Sequence, residues 1–342
     1  MNYKAFLLVF AGFESRAAYF ENAGLTRSVS AGSFYHGVVA FDHSMTTTTT
    51  STLTNSAPRY ILPALLACYI IWGSTYLAIR YALVSFPPFL QMGTRFLTAG
   101  VLLAAFMLLR GEKWPSLSQW RNAFVIGSLM LAGGMGLTAT ASQTIGSGLI
   151  ATFIAVVPML VSGWGLLWGK RPSRLELAGM VVGMAGVVLL VQGRSFSAST
   201  VGLMAIGGAT LMWSLGSVLQ TTRLPLAPGP MGFASEMLCG GATLMVIAMV
   251  LGEQISWPVQ PLAAAAWVYL VVFGSLVAFS AYLYLLANAS PALATSYAFV
   301  NPVIALFLGV VLAAEIVSFS EWIASGVILA GVLLIFAAKL KQ

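Results

Sequence analysis

Beyond residue 45 the chain contains neither histidine nor aspartate. Acid–base relays and metal sites built on those side chains therefore have nothing to stand on in most of the protein. Inside its apolar stretches two ionisable groups remain, Arg95 and Glu236, with Arg80, Glu176 and Glu321 nearer to stretch ends. A charge at the centre of a bilayer costs a few kcal/mol on insertion scales and has to face a cavity or a partner. Arg95 could receive a substrate anion or carboxylate; Glu236 could receive an amine or a proton in transit. Equally, the two could pair with backbone carbonyls or with each other and hold the molecule together. Aromatic residues recur at helical spacing nearby. Tyr69, Trp72 and Tyr76 share one helix face, Trp213, Ser217 and Gln220 repeat that pattern, and Tyr297 and Asn301 sit at i, i+4 just before Pro302. Such groups suit a pocket for a flat or amphipathic metabolite, and they suit a helix-packing stripe as well. The candidate substrate cavity is therefore Trp72, Tyr76, Arg95, Trp213, Glu236, Tyr297 and Asn301, with Glu236 as the candidate for proton coupling.

These residues have to be positioned by membrane-spanning helices. Of 342 residues, 59% are hydrophobic and 7% charged, against roughly 45–50% and about 25% in soluble domains. With a mean hydropathy of +0.92, a soluble enzyme or a nucleic-acid-binding domain is excluded. The net charge of +7 reads as membrane orientation, not as a phosphate footprint. Cys68 and Cys239 lie in apolar stretches without CxxC spacing, so neither a disulfide framework nor a metal is expected. No GxxxxGK[ST] loop occurs, so ATP is not the direct energy source, and no cofactor is expected.

Residues 1–59 differ from the rest. They hold both histidines, Asp42 and the threonine run 46–50, a composition that predicts a disordered extension. Met45 offers an alternative natural start; the stretch Lys4–Phe13 has the outline of a signal peptide without a convincing cleavage site. From Tyr60 the pattern predicts ten spans, 60–82, 88–109, 121–142, 147–168, 174–192, 201–221, 231–251, 264–287, 291–312 and 321–338. With the N-terminus inside, the cytoplasmic face receives Arg59, Arg110, Lys113, Arg121, Lys170, Arg171, Arg174, Arg223, Lys339 and Lys341. The other face receives Arg194, with Arg80 close by. That bias predicts both termini in the cytoplasm. Glu176 and Glu321 open the last span of each half, where a carboxylate complements the helix dipole, and they read as caps. Gln143 is a candidate polar wall at the end of the third span.

The chain also repeats itself. A shift of 141 residues aligns Trp72 with Trp213, Pro87 with Pro228, Arg95 with Glu236 and Gly100 with Gly241. A shift of 147 aligns Trp120 with Trp267 and Gly127-Ser128-Leu129 with Gly274-Ser275-Leu276. Pro158 then matches Pro302, and Ala185-Gly186 matches Ala330-Gly331. Two halves, 60–192 and 201–338, follow, each of five spans. An odd number sends the second half into the membrane from the opposite side, an all-α, inverted-repeat architecture used by secondary transporters with a site near the midplane.

The strings Tyr69–Tyr81 (YIIWGSTYLAIRY), Pro87-Pro88 and Pro291–Gly309 (PALATSYAFVNPVIALFLG) resemble the EamA family of the drug/metabolite transporter superfamily, over essentially all of Tyr60–Ala338. The resemblance implies ten helices in two inverted halves, a multi-pass place in the inner (plasma) membrane, and export or exchange of small metabolites by alternating access. Family members often carry Gly-Glu after the fourth and ninth helices. Here Gly169-Lys170 and Ala314-Glu315 stand in those places, which speaks against a working carboxylate after the fourth. The expected partners are a small-molecule substrate (amino-acid-like or drug-like), membrane lipid and, as an option, a second copy in a homodimer, but no nucleic acid. A lipid flippase or scramblase on the same scaffold is the alternative, and an integral membrane enzyme a weaker one.

Overall fold

The computed structural model describes residues 60–145, 150, 153–191, 199–313 and 318–340, with the side chains of 190, 191, 305, 306, 309–313, 321, 339 and 340 excepted. The expected disorder of 1–59, the alternative start at Met45, the basic residues Arg59, Arg194 and Lys341, the Ala314-Glu315 pair and the side chain of Glu321 lie outside the described residues.

What is described is helical. Helix α1 is Ile61–Ala82, α2 Pro88–Leu109, α3 Leu117–Ala141 and α4 Phe153–Leu166. They are followed by α5 (Arg174–Val191), α6 (Thr200–Thr222), α7 (Gly229–Val250) and α8 (Pro261–Asn288). A helical turn, Pro291–Thr295, leads into α9 (Tyr297–Ala313), and α10 is Phe319–Leu340. Among the described residues six helices (α1, α2, α3, α6, α7 and α8) are long and apolar enough to cross a membrane. Only about half of each is buried within the fold. The outward faces carry Leu66, Ile70, Val101, Leu102, Val246 and Met249, a surface that belongs in lipid.

The ends are set by local chemistry. Proline stands in the first turn of α2, α7 and α8, where no donor is lost. Ser116 and Gln119 form a reciprocal capping box, which starts α3 at Leu117 instead of the expected 121. Ser173 and Glu176 do the same for α5, through Ser173 N–H to Glu176 Oε2 at 2.8 Å and Glu176 N–H to Ser173 Oγ at 3.2 Å. Gly111 and Gly252, at φ 83° and 67°, follow α2 and α7, a conformation that costs glycine nothing. Lys170 Nζ reaches the last turn of α6, donating to Thr221 Oγ1 at 3.0 Å and Thr221 O at 3.4 Å. Partial burial lowers its pKa below the usual lysine value. Expected on topological grounds alone, this lysine also ties two elements together.

Three helices widen locally into π-helical turns, at Cys68–Trp72 in α1, Ser128–Gly136 in α3 and Leu270–Val277 in α8. Small residues bring neighbours close. A β-carbon on Gly100 would lie 3.0 Å from Leu238, and one on Gly241 would lie 2.9 Å from Leu97, so α2 and α7 cross antiparallel. Gly179, Gly183 and Gly186 meet Gly331 and Ile328 of α10 in the same manner, the close approach that small residues permit between membrane helices.

Candidate functional site

The π-helical turn of α1 ends at Trp72, whose indole N–H donates to Gly274 O of α8 at 3.2 Å. An extra residue per turn displaces a side chain from the regular helical register, and such bulges recur at functional sites. Trp72 packs edge-on to Trp213 of α6 at 5.7 Å between ring centroids and to Tyr297 of α9 at 4.7 Å. Tyr282 of α8 completes the cluster, 5.2 Å from Trp72, 5.4 Å from Trp213 and 5.4 Å from Tyr297. Its hydroxyl lies 2.8 Å from Ser217 Oγ. Aromatic pairs in these geometries contribute about 0.5–1.5 kcal/mol each beyond area burial, so the four rings form a rigid floor.

On that floor stands a cavity of about 540 Å³, counting the space open at its mouth. Its walls are Trp72, Thr75, Tyr76 and Ile79 from α1; Gly134, Met135 and Thr138 from α3; Ile154 and Val157 from α4; Ala209, Thr210 and Trp213 from α6; and Tyr297 and Asn301 from α9. The hydroxyls of Thr75, Thr138 and Thr210 donate to carbonyls of their own helices, Trp72 O, Gly134 O and Gly207 O, at 2.7–2.9 Å. Each keeps acceptor capacity for a guest. Two buried polar atoms of the wall, Trp213 Nε1 and Asn301 Oδ1, make no hydrogen bond of full geometry; the hydroxyls of Tyr282 and Tyr297 lie beside Trp213 and that of Tyr76 beside Asn301. One donor and one acceptor are thus under-satisfied beside a mainly apolar, aromatic space. This is the makeup of a small-molecule pocket.

Five of the seven residues singled out in the sequence, Trp72, Tyr76, Trp213, Tyr297 and Asn301, therefore line one cavity. Arg95 and Glu236 are not among its walls. Arg95, 1% exposed, lies where α2 meets α8. Its Nε donates to Ser275 Oγ at 2.6 Å, its Nη1 lies 3.6 Å from Met92 Sδ, and its guanidinium rests 4.8 Å from the Phe96 ring centre. Gly274 makes room for it: a β-carbon there would sit 2.7 Å from Nη2. Glu236, 0% exposed, lies where α7 meets α3. Both its carboxylate oxygens lack a hydrogen-bond partner, and among the described residues it forms no pair with Arg95.

Tyr282, Thr75, Met135 and Thr138 escaped the sequence reading. Tyr282 carries one readable signal: the 147-residue shift that pairs Trp120 with Trp267 sets it opposite Met135, itself a wall residue. Gln143 is exposed beyond the end of α3, away from the cavity. Among the described residues no three His, Cys, Asp or Glu side chains converge as a metal site would require.

The chain matches the EamA-like transporter family over residues 59–192 and again over 200–337. It is 44% identical over 285 residues to the inner membrane transporter YedA of Escherichia coli K12, covering 82% of this chain and 93% of that one. Protein PecM of Dickeya dadantii is 27% identical, covering 78% of this chain and 87% of its own. A WAT1-related chloroplastic protein of Arabidopsis thaliana is 24% identical over 79% and 68% of the two chains. A protein known from a crystal structure shares the fold with a TM-score of 0.67 at 22% identity, over 82% of this chain and 98% of that one.

Proposed function

The chain belongs to the EamA-like transporter family of membrane transporters, and from that premise we propose that it is a secondary-active exporter or exchanger of a small amphipathic metabolite, amino-acid-like or drug-like. It would bind this substrate in the aromatic-floored cavity and move it by alternating access. The under-satisfied N–H of Trp213 and C=O of Asn301 on the wall of this aromatic cavity carry this reading. A buried donor or acceptor left alone costs about 1–3 kcal/mol, and a substrate with one complementary group for each would recover that loss.

The architecture we propose is ten spans in two inverted halves, 60–192 and 201–338. Contacts that exchange under the repeat shifts support it. Gly100 against Leu238 is the image of Gly241 against Leu97, and Gly127 against Glu236 is the image of Gly274 against Arg95. With both termini cytoplasmic, the cavity walls on α1 and α3 lie toward the ends of those helices, so the present form opens outward. On the inner side Lys170 bonds Thr221, and Asn122 Nδ2 donates to Pro225 O at 2.9 Å. Glu236, a buried carboxylate without partners, is the proton carrier in this scheme. Arg95 positions α2 against α8 and touches substrate only if the helices move.

A thermal-stability screen of the purified protein against amino acids, nucleobases, sugars and organic cations tests the reading. A ligand at 100 times its Kd adds about 2.7 kcal/mol of stability. The expected result is a melting shift confined to one chemical class and cut to about 1.4–2.1 kcal/mol in Asn301→Ala at the same ligand concentration. Shifts undiminished in both Asn301→Ala and Trp213→Phe would place binding elsewhere, and no shift with any class would argue for a lipid substrate.

A further inference from the structure

The repeat supplies α2 and α7 with matching sets of contact residues, and this structure uses the two sets unequally. α2 is held to the second half at two points. Inside the membrane Arg95 Nε donates to Ser275 Oγ at 2.6 Å. At its N-terminus the N–H groups of Phe89 and Leu90 donate to the carboxylate of Glu253, at 3.3 and 2.7 Å. A carboxylate on those free donors is favoured by hydrogen bonding and by the helix dipole together.

The corresponding residues on the α7 side are Glu236 for Arg95, Ser128 for Ser275, Gly111-Glu112 for Gly252-Glu253, and Met231 for Leu90. The Gly-Glu pairs match in conformation as well as in sequence: both glycines have positive φ, and each pair is followed closely by Trp-Pro, Trp114-Pro115 and Trp257-Pro258. None of the α7-side bonds is made. Both oxygens of Glu236 are unpartnered, and Ser128 Oγ lies 3.0 Å from Thr243 Oγ1 instead. Glu112 is exposed, its carboxylate without a hydrogen bond or ion pair among the described residues.

We propose that α2 and α7 exchange clamps during the transport cycle: the Ser275 and Glu253 clamp on α2 is made in the present form, and a Ser128 and Glu112 clamp on α7 replaces it when the cavity opens to the other face. The argument rests on the inverted-repeat, alternating-access reading above. In such a molecule the second conformation arises when the halves trade shapes, so a contact made by one half and open in the other is a contact that changes hands. The exchange is unequal. The residue matching Phe89 is Pro230, which has no N–H to offer Glu112, so the α7 clamp has one terminal bond where the α2 clamp has two. The present form is correspondingly the resting one.

Side-specific labelling tests this. With Cys68 and Cys239 changed to alanine and Thr210→Cys placed in the cavity wall as reporter, the full chain is labelled with an impermeant maleimide in right-side-out and inside-out vesicles. One net hydrogen bond is worth roughly a two- to tenfold change in a conformational equilibrium. Glu253→Ala and Ser275→Ala should shift labelling toward the second face by that factor. Glu112→Ala, which removes nothing bonded in the present form, should shift it toward the first. Wild-type labelling from both faces, with Glu112→Ala and Glu253→Ala moving together or not at all, would overturn the clamp exchange and leave alternating access standing. Labelling of the wild type from one face only would overturn both.

Discussion

Asn301 and Trp213 present to the cavity an under-satisfied acceptor and donor, and the effect of Asn301 is the easier of the two to separate from packing. Asn301 is 1% exposed and Trp213 6%, so neither recovers its missing bond from bulk water. Replacing Asn301 by alanine or Trp213 by phenylalanine removes one substrate bond and also relieves the empty protein of an under-satisfied atom. Apparent substrate affinity should fall about three- to tenfold, near 0.5–1.5 kcal/mol, while the melting temperature without ligand stays nearly level in Asn301→Ala and falls in Trp213→Phe, which gives up part of its ring packing on Trp72 and Tyr282. Calorimetric binding and a thermal melt on each variant check the pair. Glu236 belongs to the same scale. A carboxylate with no partner in a lipid-embedded helix pair is costly to keep ionised. If it carries the coupling proton, Glu236→Gln makes uptake into liposomes indifferent to a pH gradient that drives the wild type. Uptake that still follows the gradient in the variant would leave the carboxylate without that role.

At the scale of elements, what the sequence discloses and what it withholds divide along physical lines. Apolar runs bounded by Pro, Gly and charge give spans such as 88–109 to the residue, and the ends of α3 and α8 to within a few residues. The error at α3 has a local cause, since Ser116 and Gln119 already cap the helix four residues ahead of the apolar run. The π-helical turns were not readable, because no periodicity marks a single widened turn and its cause lies in neighbouring helices. For the same reason the cavity was legible through Trp72, Tyr76, Trp213, Tyr297 and Asn301, which share helix faces, but Arg95 with Ser275, 180 residues apart in sequence, was not. Helix approach is where elements can be tested. A β-carbon on Gly127 would lie 2.6 Å from Glu236 O and 2.8 Å from Gly240 N, both backbone atoms that yield only if α3 and α7 separate. Gly127→Ala should destabilise by about 1–3 kcal/mol. Gly207→Ala, whose nearest neighbour would be Phe153 at 3.9 Å, should be neutral or gain up to about 1 kcal/mol of helix propensity. Equal melting temperatures for the two would mean that the α3–α7 approach is not a fixed part of the fold.

For the molecule as a whole, composition and surface point the same way. Half-buried helices with Leu, Ile, Val and Met on their outer faces require a bilayer, and the uneven placement of Lys and Arg between the two sets of loops determines which way up they sit in it. Because the two halves insert in opposite senses in the proposed architecture, each alone could adopt either orientation. The few basic residues in the connections then carry the whole decision. Arg110, Lys113 and Arg121 surround the α2–α3 connection, and Lys170, Arg171 and Arg174 surround the α4–α5 connection. Among them Lys170 is tied to another helix through its side-chain bonds to Thr221. Replacing Arg171 and Arg174 by serine should therefore weaken orientation with little effect on stability, whereas Lys170→Ser should cost both. A C-terminal green fluorescent protein fusion, which fluoresces only in the cytoplasm, and a C-terminal alkaline phosphatase fusion, active only outside it, read orientation directly. The wild type should fluoresce and lack phosphatase activity. The variant lacking Arg110, Lys113, Arg171 and Arg174 together should show a mixed population, and phosphatase activity in the wild type would invert the assignment of the cavity mouth to the outer face.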